Sequence, residues 1–146
     1  MTTASEINRQ PDFNTRVIEE FRANDGVLSG PFENVDMMLL TTTGRKSGRE
    51  HVIPLAYRRE GDAVVVFGSY AGNPKHPQWI LNLIANPDVT VEVGSETYPA
   101  RARIAAGDER ERIWAAQKAD IPQFGDYEQT TRGREIPVVI LERRRP

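Results

Sequence analysis

The segment Thr43-Gly44-Arg45-Lys46-Ser47-Gly48-Arg49 packs three cations, two glycines and a serine into one short stretch. An apolar run from Leu39 to Thr43 leads into it, and a second strand-like run, His51 to Tyr57, leads out. The pattern predicts a β-hairpin whose tip gathers positive charge and hydrogen-bond donors. Glycine lets a backbone approach a ligand closely, while arginine and lysine recognise phosphate or carboxylate. The spacing is not that of a G-x-x-x-x-G-K-[ST] phosphate loop, and no helix pattern follows. A plain solvated basic turn accounts for the same residues, and the turn alone does not separate the two readings.

Other residues able to do chemistry are few. His51 and His76 are the two histidines, and neither has a second ligand at metal-binding spacing. His51, on a strand beside the turn, could meet an anion or simply be half-exposed; His76, before Pro77, could do no more than start a helix. Asp108, Glu109 and Glu111 suit the first turn of a helix, where carboxylates complement the dipole. The small-residue loop Gly68-Ser69-Tyr70-Ala71-Gly72-Asn73 directly follows a predicted strand, a place where a planar ring could lie on the backbone. Trp79, Phe124 and Tyr127 are each as compatible with core packing as with ligand contact, and Tyr127, in a polar stretch, is best placed for a functional hydroxyl. A cationic clamp beside a small-residue loop, with no covalent catalyst, points to chemistry carried by a cofactor.

The elements that must position these residues follow from periodicity. Residues 1–12 are expected to form a flexible tail and 13–146 a single domain. Phe13, Val17, Ile18 and Phe21 fall on one face of a helix over Asn14–Ala23, with Gly26 beyond its end. Strands are predicted at Met37–Thr43, Val52–Arg58 and Ala63–Phe67. A helix follows over His76–Ala85, with Pro77 in its first turn and Trp79, Ile80, Leu83 and Ile84 as its apolar face. Val89–Val93 and Tyr98–Ala105 flank Gly94-Ser95 as a hairpin. Glu109–Lys118 reads as a helix with Ile113 and Trp114 inward, Asp120–Glu135 as a loop, and Ile136–Leu141 as a strand buried on both faces. Six mostly antiparallel strands with short turns imply an α+β fold, a small closed or split barrel with flanking helices. No G-x-G-x-x-G occurs and βαβ alternation is missing, which disfavours a dinucleotide-binding parallel sheet.

Composition narrows the function classes. The 146 residues suit one domain, and a net charge of −2 argues against a nucleic-acid binder driven by global charge. With no cysteine, disulfides, thiolate metal sites and cysteine nucleophiles are excluded, and a metal site is not expected. No apolar run reaches the ~20 residues of a membrane span, and the polar start lacks a signal-peptide core.

Phe21-Arg22-Ala23-Asn24, Leu40 to Gly48, Pro54-Leu55, His76-Pro77 with Trp79, Asn82-Leu83, Ala85-Asn86-Pro87 and Ile136-Pro137-Val138-Val139 occur in this order. Together, from about Val17 to Leu141, they resemble the deazaflavin-dependent nitroreductase family, actinobacterial reductases that use coenzyme F420. The resemblance implies an FMN-binding split-barrel-like fold, binding of reduced F420, and hydride delivery to quinones, nitroaromatics or activated enones. It implies that Arg45, Lys46 and Ser47, with Arg49 and His51 adjacent, hold the cofactor's phosphate and acidic tail. It further implies cofactor contacts at Thr43, Pro54, Ser69, Tyr70, Ala71, Gly72, Gln78 and Trp79, the Ser69–Asn73 loop lying along the ring. Some nitroreducing relatives carry several tyrosines before the last strand; the matching positions here are Ile121, Phe124 and Tyr127, the expected substrate pocket. Tyr70 stands where some relatives have lysine. Tyr127, Ser69 or water would supply the proton that accompanies the hydride. The implied partner is a small electron acceptor in a cytoplasmic setting, with peripheral membrane contact and a homodimer both compatible. The same barrel using FMN, or a non-catalytic carrier of F420 or a fatty acid, are the competing readings.

Overall fold

A computed structural model describes residues 11–69, 72 and 75–144. The tail predicted for residues 1–10, and Tyr70, Ala71 and Asn73 of the predicted ring loop, lie outside the described residues. Four α-helices are described, α1 (Pro11–Ala23), α2 (Gln78–Ala85), α3 (Gly107–Asp120) and α4 (Gln123–Thr130), with a 3-10 turn at Gly30–Phe32. The strands are β1 (Met37–Thr43), β2 (Glu50–Ala56), β3 (Arg58–Glu60), β4 (Ala63–Phe67), β5 (Asp88–Val93), β6 (Glu96–Ile104) and β7 (Val138–Arg143). Helix α1 begins at Pro11, inside the last two residues of the expected tail.

All seven strands join one sheet in the order β2-β1-β5-β6-β7-β4-β3, and each pairing is antiparallel. The two edge strands are consecutive in the chain, separated by Tyr57 alone. In a flat sheet, six strand spacings of about 4.8 Å would set those edges roughly 29 Å apart. A single residue extends the chain by only about 3.5 Å. The sheet must therefore curl until its edges nearly meet, giving a barrel split between β2 and β3. Here the structure corrects the six-strand expectation. The run predicted as one strand through Arg58 is two: after Ala56 the chain leaves β1 and crosses to β4. Tyr57 marks the corner, donating its N–H to the Asp36 carbonyl at 3.0 Å.

The alternation of side chains sorts the apolar residues into layers. Met38 and Leu40 of β1, Val64 and Val66 of β4, and Val139 and Leu141 of β7 fill the barrel, where Trp79, Ile80 and Leu83 of α2 join them. Their strand neighbours Val65, Phe67, Val138 and Ile140 face outward and are covered by Ile113 and Trp114 of α3 and by Phe124 and Tyr127 of α4. Met37 and Leu39 face α1, packing against Val17 and Phe21. Strands β1, β4 and β7 are thus buried on both faces, which explains their unbroken apolar runs. On α2, Ile84 departs from its predicted place on the apolar face and is 60% exposed.

Helix α4 replaces most of the predicted Asp120–Glu135 loop. Pro122 and Gly125 mask it in the sequence, and no side chain caps its start. Tertiary contacts hold it instead. Phe124 packs edge-on against Phe67 and Trp114 at centroid distances of 5.6 and 6.1 Å. Glu128 accepts hydrogen bonds from the Trp114 indole and from Lys118.

Gly26 closes α1 with a left-handed φ of +88°, its N–H bonded to the Phe21 carbonyl at 2.8 Å. A Cβ there would lie 2.8 Å from the Gly94 Cα, in the β5–β6 turn. Gly26→Ala therefore combines backbone strain with a backbone clash that no rotamer relieves. It is expected to destabilise the fold by about 1–3 kcal/mol, read as a lowered midpoint in urea unfolding. A midpoint equal to that of the wild type would show that α1 ends without this close contact.

Candidate functional site

The β1–β2 turn is tightly built. Thr42 pairs with His51 and Thr43 with Glu50, so the ladder runs to the base of the turn. Gly44 donates its N–H to the Arg49 carbonyl at 2.7 Å, and Gly48, at φ +74°, donates back to the Gly44 carbonyl at 3.0 Å. The Ser47 hydroxyl accepts the Arg49 N–H at 3.2 Å. A Cβ on Gly44 would meet Ser47 Oγ at 2.8 Å and His51 Nε2 at 2.9 Å, so only glycine lets these polar groups converge here.

Helix α2 grips this turn through two asparagines one helical turn apart. Asn82 Oδ1 accepts from the Arg45 guanidinium at 2.9 Å and from the Arg45 backbone N–H at 3.3 Å. Asn86 donates to the Thr43 carbonyl at 3.3 Å. Neither role follows from the sequence motifs alone. The available signal was Asn82 itself, a polar residue set among Trp79, Ile80 and Leu83 on the buried side of a helix, where a buried polar group demands a partner.

Turn, helix and barrel mouth enclose a cleft of about 450 Å³. Its polar wall is Arg45, Lys46, Ser47, His51, Gln78 and Asn82, with Asn14 of α1 and Thr42; its apolar wall is Val52, Ile53 and Trp79. Among the described residues, no carboxylate belongs to the lining. The Thr42 hydroxyl, which follows Met38 and Leu40 along the inner face of β1, is buried without a hydrogen-bond partner among the described residues. A larger groove of about 800 Å³ crosses the outer face near β3, β6 and α3. Its positive charge is already matched: Arg103 pairs with Glu109 and Glu142 at 2.7 and 2.9 Å, and Arg112 with Glu60 at 3.1 Å. Among the described residues, the cations of the smaller cleft are not opposed by lining carboxylates, and it is the better anion site.

Of the residues predicted to hold a cofactor, the cleft therefore brings together Arg45, Lys46, Ser47, His51, Gln78 and Trp79. Thr43 lies in the adjoining strand end, Arg49 is exposed at the turn, and Pro54 is buried in β2 opposite Leu39. Tyr70 and Ala71 lie outside the described residues. Ser69 and Gly72 belong to a second assembly with α4. Thr130 of α4 donates its hydroxyl to the Gly72 carbonyl at 2.8 Å, and Ser69 is 8% exposed. In the predicted substrate pocket, Tyr127 packs edge-on against Phe124 at 5.4 Å, Phe124 also packs into the aromatic layer on α3, and Ile121 is 41% exposed.

His76 and Arg134 stand between the two assemblies, and Arg134 was not anticipated from sequence. Its guanidinium donates to the Gly68 and Ser69 carbonyls, each at 2.9 Å, and lies 3.1 Å from His76 Nδ1. A guanidinium only donates, so Nδ1 accepts and the neutral ring carries its proton on Nε2. Burial, and then the Arg134 charge, push the His76 pKa below its ordinary value. Burial likewise lowers that of Arg134.

Comparison with known proteins relates the chain to one family. Residues 14–143 match the family model described as F420H(2)-dependent quinone reductase. A Mycobacterium tuberculosis protein named F420H(2)-dependent quinone reductase is 36% identical over 110 residues, 73% of each chain. The solved structure of an F420-H2 dependent reductase, FDR-A, superposes with a TM-score of 0.67 at 39% identity, covering 73% of this chain and 94% of that one. A solved structure described as a domain-swapped dimer superposes with a TM-score of 0.70 at 37% identity, covering 88% and 93%.

The lowered His76 pKa has a definite sign. The unfolded chain binds a proton near the ordinary value of 6.5, where the folded chain does not. This histidine's contribution to stability is thus full above 6.5 and is lost as pH falls through the folded-state pKa. An NMR titration of the His76 ring is expected to show a midpoint below 6.5. Arg134→Gln should raise it part of the way, since burial remains. A wild-type midpoint at or above the ordinary value would mean that the ring does not sit against the guanidinium.

Proposed function

Because this chain belongs to the F420H(2)-dependent quinone reductase family, we propose that its F420-dependent reduction acts on a quinone, with the cofactor's anionic tail held at the β1–β2 turn. The cleft, lined by no carboxylate among the described residues and with Arg45, Lys46 and Ser47 along one wall, carries this reading. A tail bearing a phosphodiester and glutamate carboxylates needs several positive donors, and few acidic neighbours to compete for them. Asn82 pre-orders Arg45, so less side-chain freedom is lost on binding. The unpartnered Thr42 hydroxyl offers one more donor at the barrel mouth. Trp79, Val52 and Ile53 supply an apolar wall suited to a planar ring.

When bound, reduced F420 supplies a hydride. The chain's own residues orient the reactants and exclude water, the contributions expected where no side chain attacks the substrate. A quinone oxygen also needs a proton. Tyr127, half-buried in α4, is the phenol assigned that role, with Ser69 or water as the other sources. Nitroaromatics and activated enones are electron-poor in the same sense and belong to the acceptor panel that tests the proposal. Anaerobic mixing with reduced F420, following its reoxidation by each acceptor, is the direct experiment. Turnover with nitro compounds but no quinone would overturn the acceptor assignment.

The clamp is tested by affinity. Arg45→Ala and Lys46→Ala are each expected to weaken F420 binding by about 1–3 kcal/mol, the range for charge-assisted hydrogen bonds. Added salt should weaken the wild type more than either variant. FMN, with one phosphate, should bind well below F420 in the same titration. Normal F420 affinity in both variants would reduce the turn to a solvated hairpin.

The acceptor side is tested by rate. Tyr127→Phe removes a hydroxyl and little volume, so F420 affinity should hold while acceptor reduction slows by at most about 100-fold, water substituting in part. An unchanged rate across the acceptor panel would assign the proton to solvent. Lost cofactor affinity would instead place Tyr127 against F420.

A further inference from the structure

The segment from Gly68 to His76 joins β4 to α2, and both of its stems end on one side chain. Arg134 Nη1 donates to the Gly68 carbonyl at 2.9 Å and reaches His76 Nδ1 at 3.1 Å, while Nη2 donates to the Ser69 carbonyl at 2.9 Å. One guanidinium thus binds the chain where it leaves the sheet and where it enters the helix. The loop is also tied between these points. Ser69 accepts the Gly72 N–H at 2.9 Å, and the Thr130 hydroxyl donates to the Gly72 carbonyl at 2.8 Å. At Gly72 the fit is close enough that a Cβ would lie 2.0 Å from Thr130 Oγ1.

Arg134 is itself held in place. The buried Thr131 hydroxyl donates to the Arg134 carbonyl at 2.8 Å, and Arg110 donates to the Ile136 carbonyl at 2.8 Å. These bonds fix the short connection from α4 to β7, so the guanidinium projects from an anchored backbone.

We propose that Arg134 is a positioning residue for reduction: its guanidinium buckles Gly68 and Ser69, where the chain leaves β4, to His76, where it enters α2, and ties both stems to the α4–β7 connection. This rests on the reading that Ser69 borders the F420 ring while α4 carries the acceptor side. A planar fork is required, because three acceptors in different directions share two nitrogens. Lysine keeps the charge but presents a single nitrogen and cannot span both stems.

The test compares wild type, Arg134→Ala and Arg134→Lys in two measurements, one of them made without cofactor. In the free protein, hydrogen exchange of the 68–76 peptide should be at least about 10-fold faster in Arg134→Ala and faster in Arg134→Lys, with the β5–β6 hairpin unchanged. In titrations, F420 affinity should fall about 10-fold in Arg134→Ala, because binding must then fix Ser69 without the guanidinium. The salt dependence of binding should match that of the wild type, since Arg45 and Lys46 are untouched. Should Arg134→Ala not fold, Arg134→Lys carries the same comparisons. Unchanged exchange in the variants would overturn the buckle. Faster exchange with wild-type affinity would show that the loop does not serve the cofactor, and would also overturn it. A wild type that binds no F420 would instead defeat the cofactor reading, and the proposal with it.

Discussion

The covalent join between the two edges of the sheet is the constraint from which the rest of the structure follows. Seven antiparallel strands whose first and last members are separated by Tyr57 cannot lie flat. Closure gives each central strand an inside and an outside, and both must be covered. Inside, the residues of β1, β4 and β7 meet one another and the apolar face of α2. Outside, α1 covers β1 while α3 and α4 cover β4 and β7. A helix plugging the barrel end comes within reach of the nearest hairpin turn, and that proximity is what makes the cleft.

The cleft then depends on electrostatics of an economical kind. The chain carries 19 basic and 21 acidic residues, so net charge concentrates nothing. Local pairing does. On the outer face, arginines and glutamates meet at short range and cancel, in exposed pairs that each add little to stability. At the β1–β2 turn no carboxylate of the described residues lines the cleft, and Arg45 is held by a neutral amide instead. Asn82 orients the guanidinium without neutralising it. An acid at that position would orient it too, but would compete directly with an anionic ligand.

How much of this was legible in the sequence depends on the range of the interaction responsible. The cationic hairpin, the burial of β7, the inward face of α2 apart from Ile84, and that of α3 rest on local pattern and were readable, because periodicity and turn chemistry act over a few residues. The switch at Tyr57 was not. It breaks no local rule, and only the competition between β1 and β4 for the continuing chain ends β2. Helix α4 was missed because Phe67 and Trp114 hold Phe124 across the fold while Pro122 and Gly125 argue locally against a helix. Arg134 escaped notice for the same reason. Nothing about an arginine between Gly133 and Glu135 suggests that it reaches backbone carbonyls some 65 residues away in sequence. Asn82 and Asn86 lay in between: their spacing was visible, and their partner was not.

The division of the site between two supports has a consequence for how such a protein can change. In the proposed reading the cofactor's tail rests on the hairpin and α2, both locked to the barrel by ladder hydrogen bonds and core packing. The acceptor side rests on α4, a helix of eight residues with no capping side chain and no fully buried residue. Such an element sits at the low end of local stability, where substitutions alter shape without unfolding the domain. Ile121, Phe124 and Tyr127 can then vary, and with them the acceptor, while the Arg45–Asn82 contact is left alone. Among the described residues the two supports are linked by Thr130 on Gly72 and by Arg134 on the loop stems. Acceptor range and cofactor affinity are separable to the extent that this link stays closed, which makes Arg134 a more constrained position than its place in an irregular connection suggests.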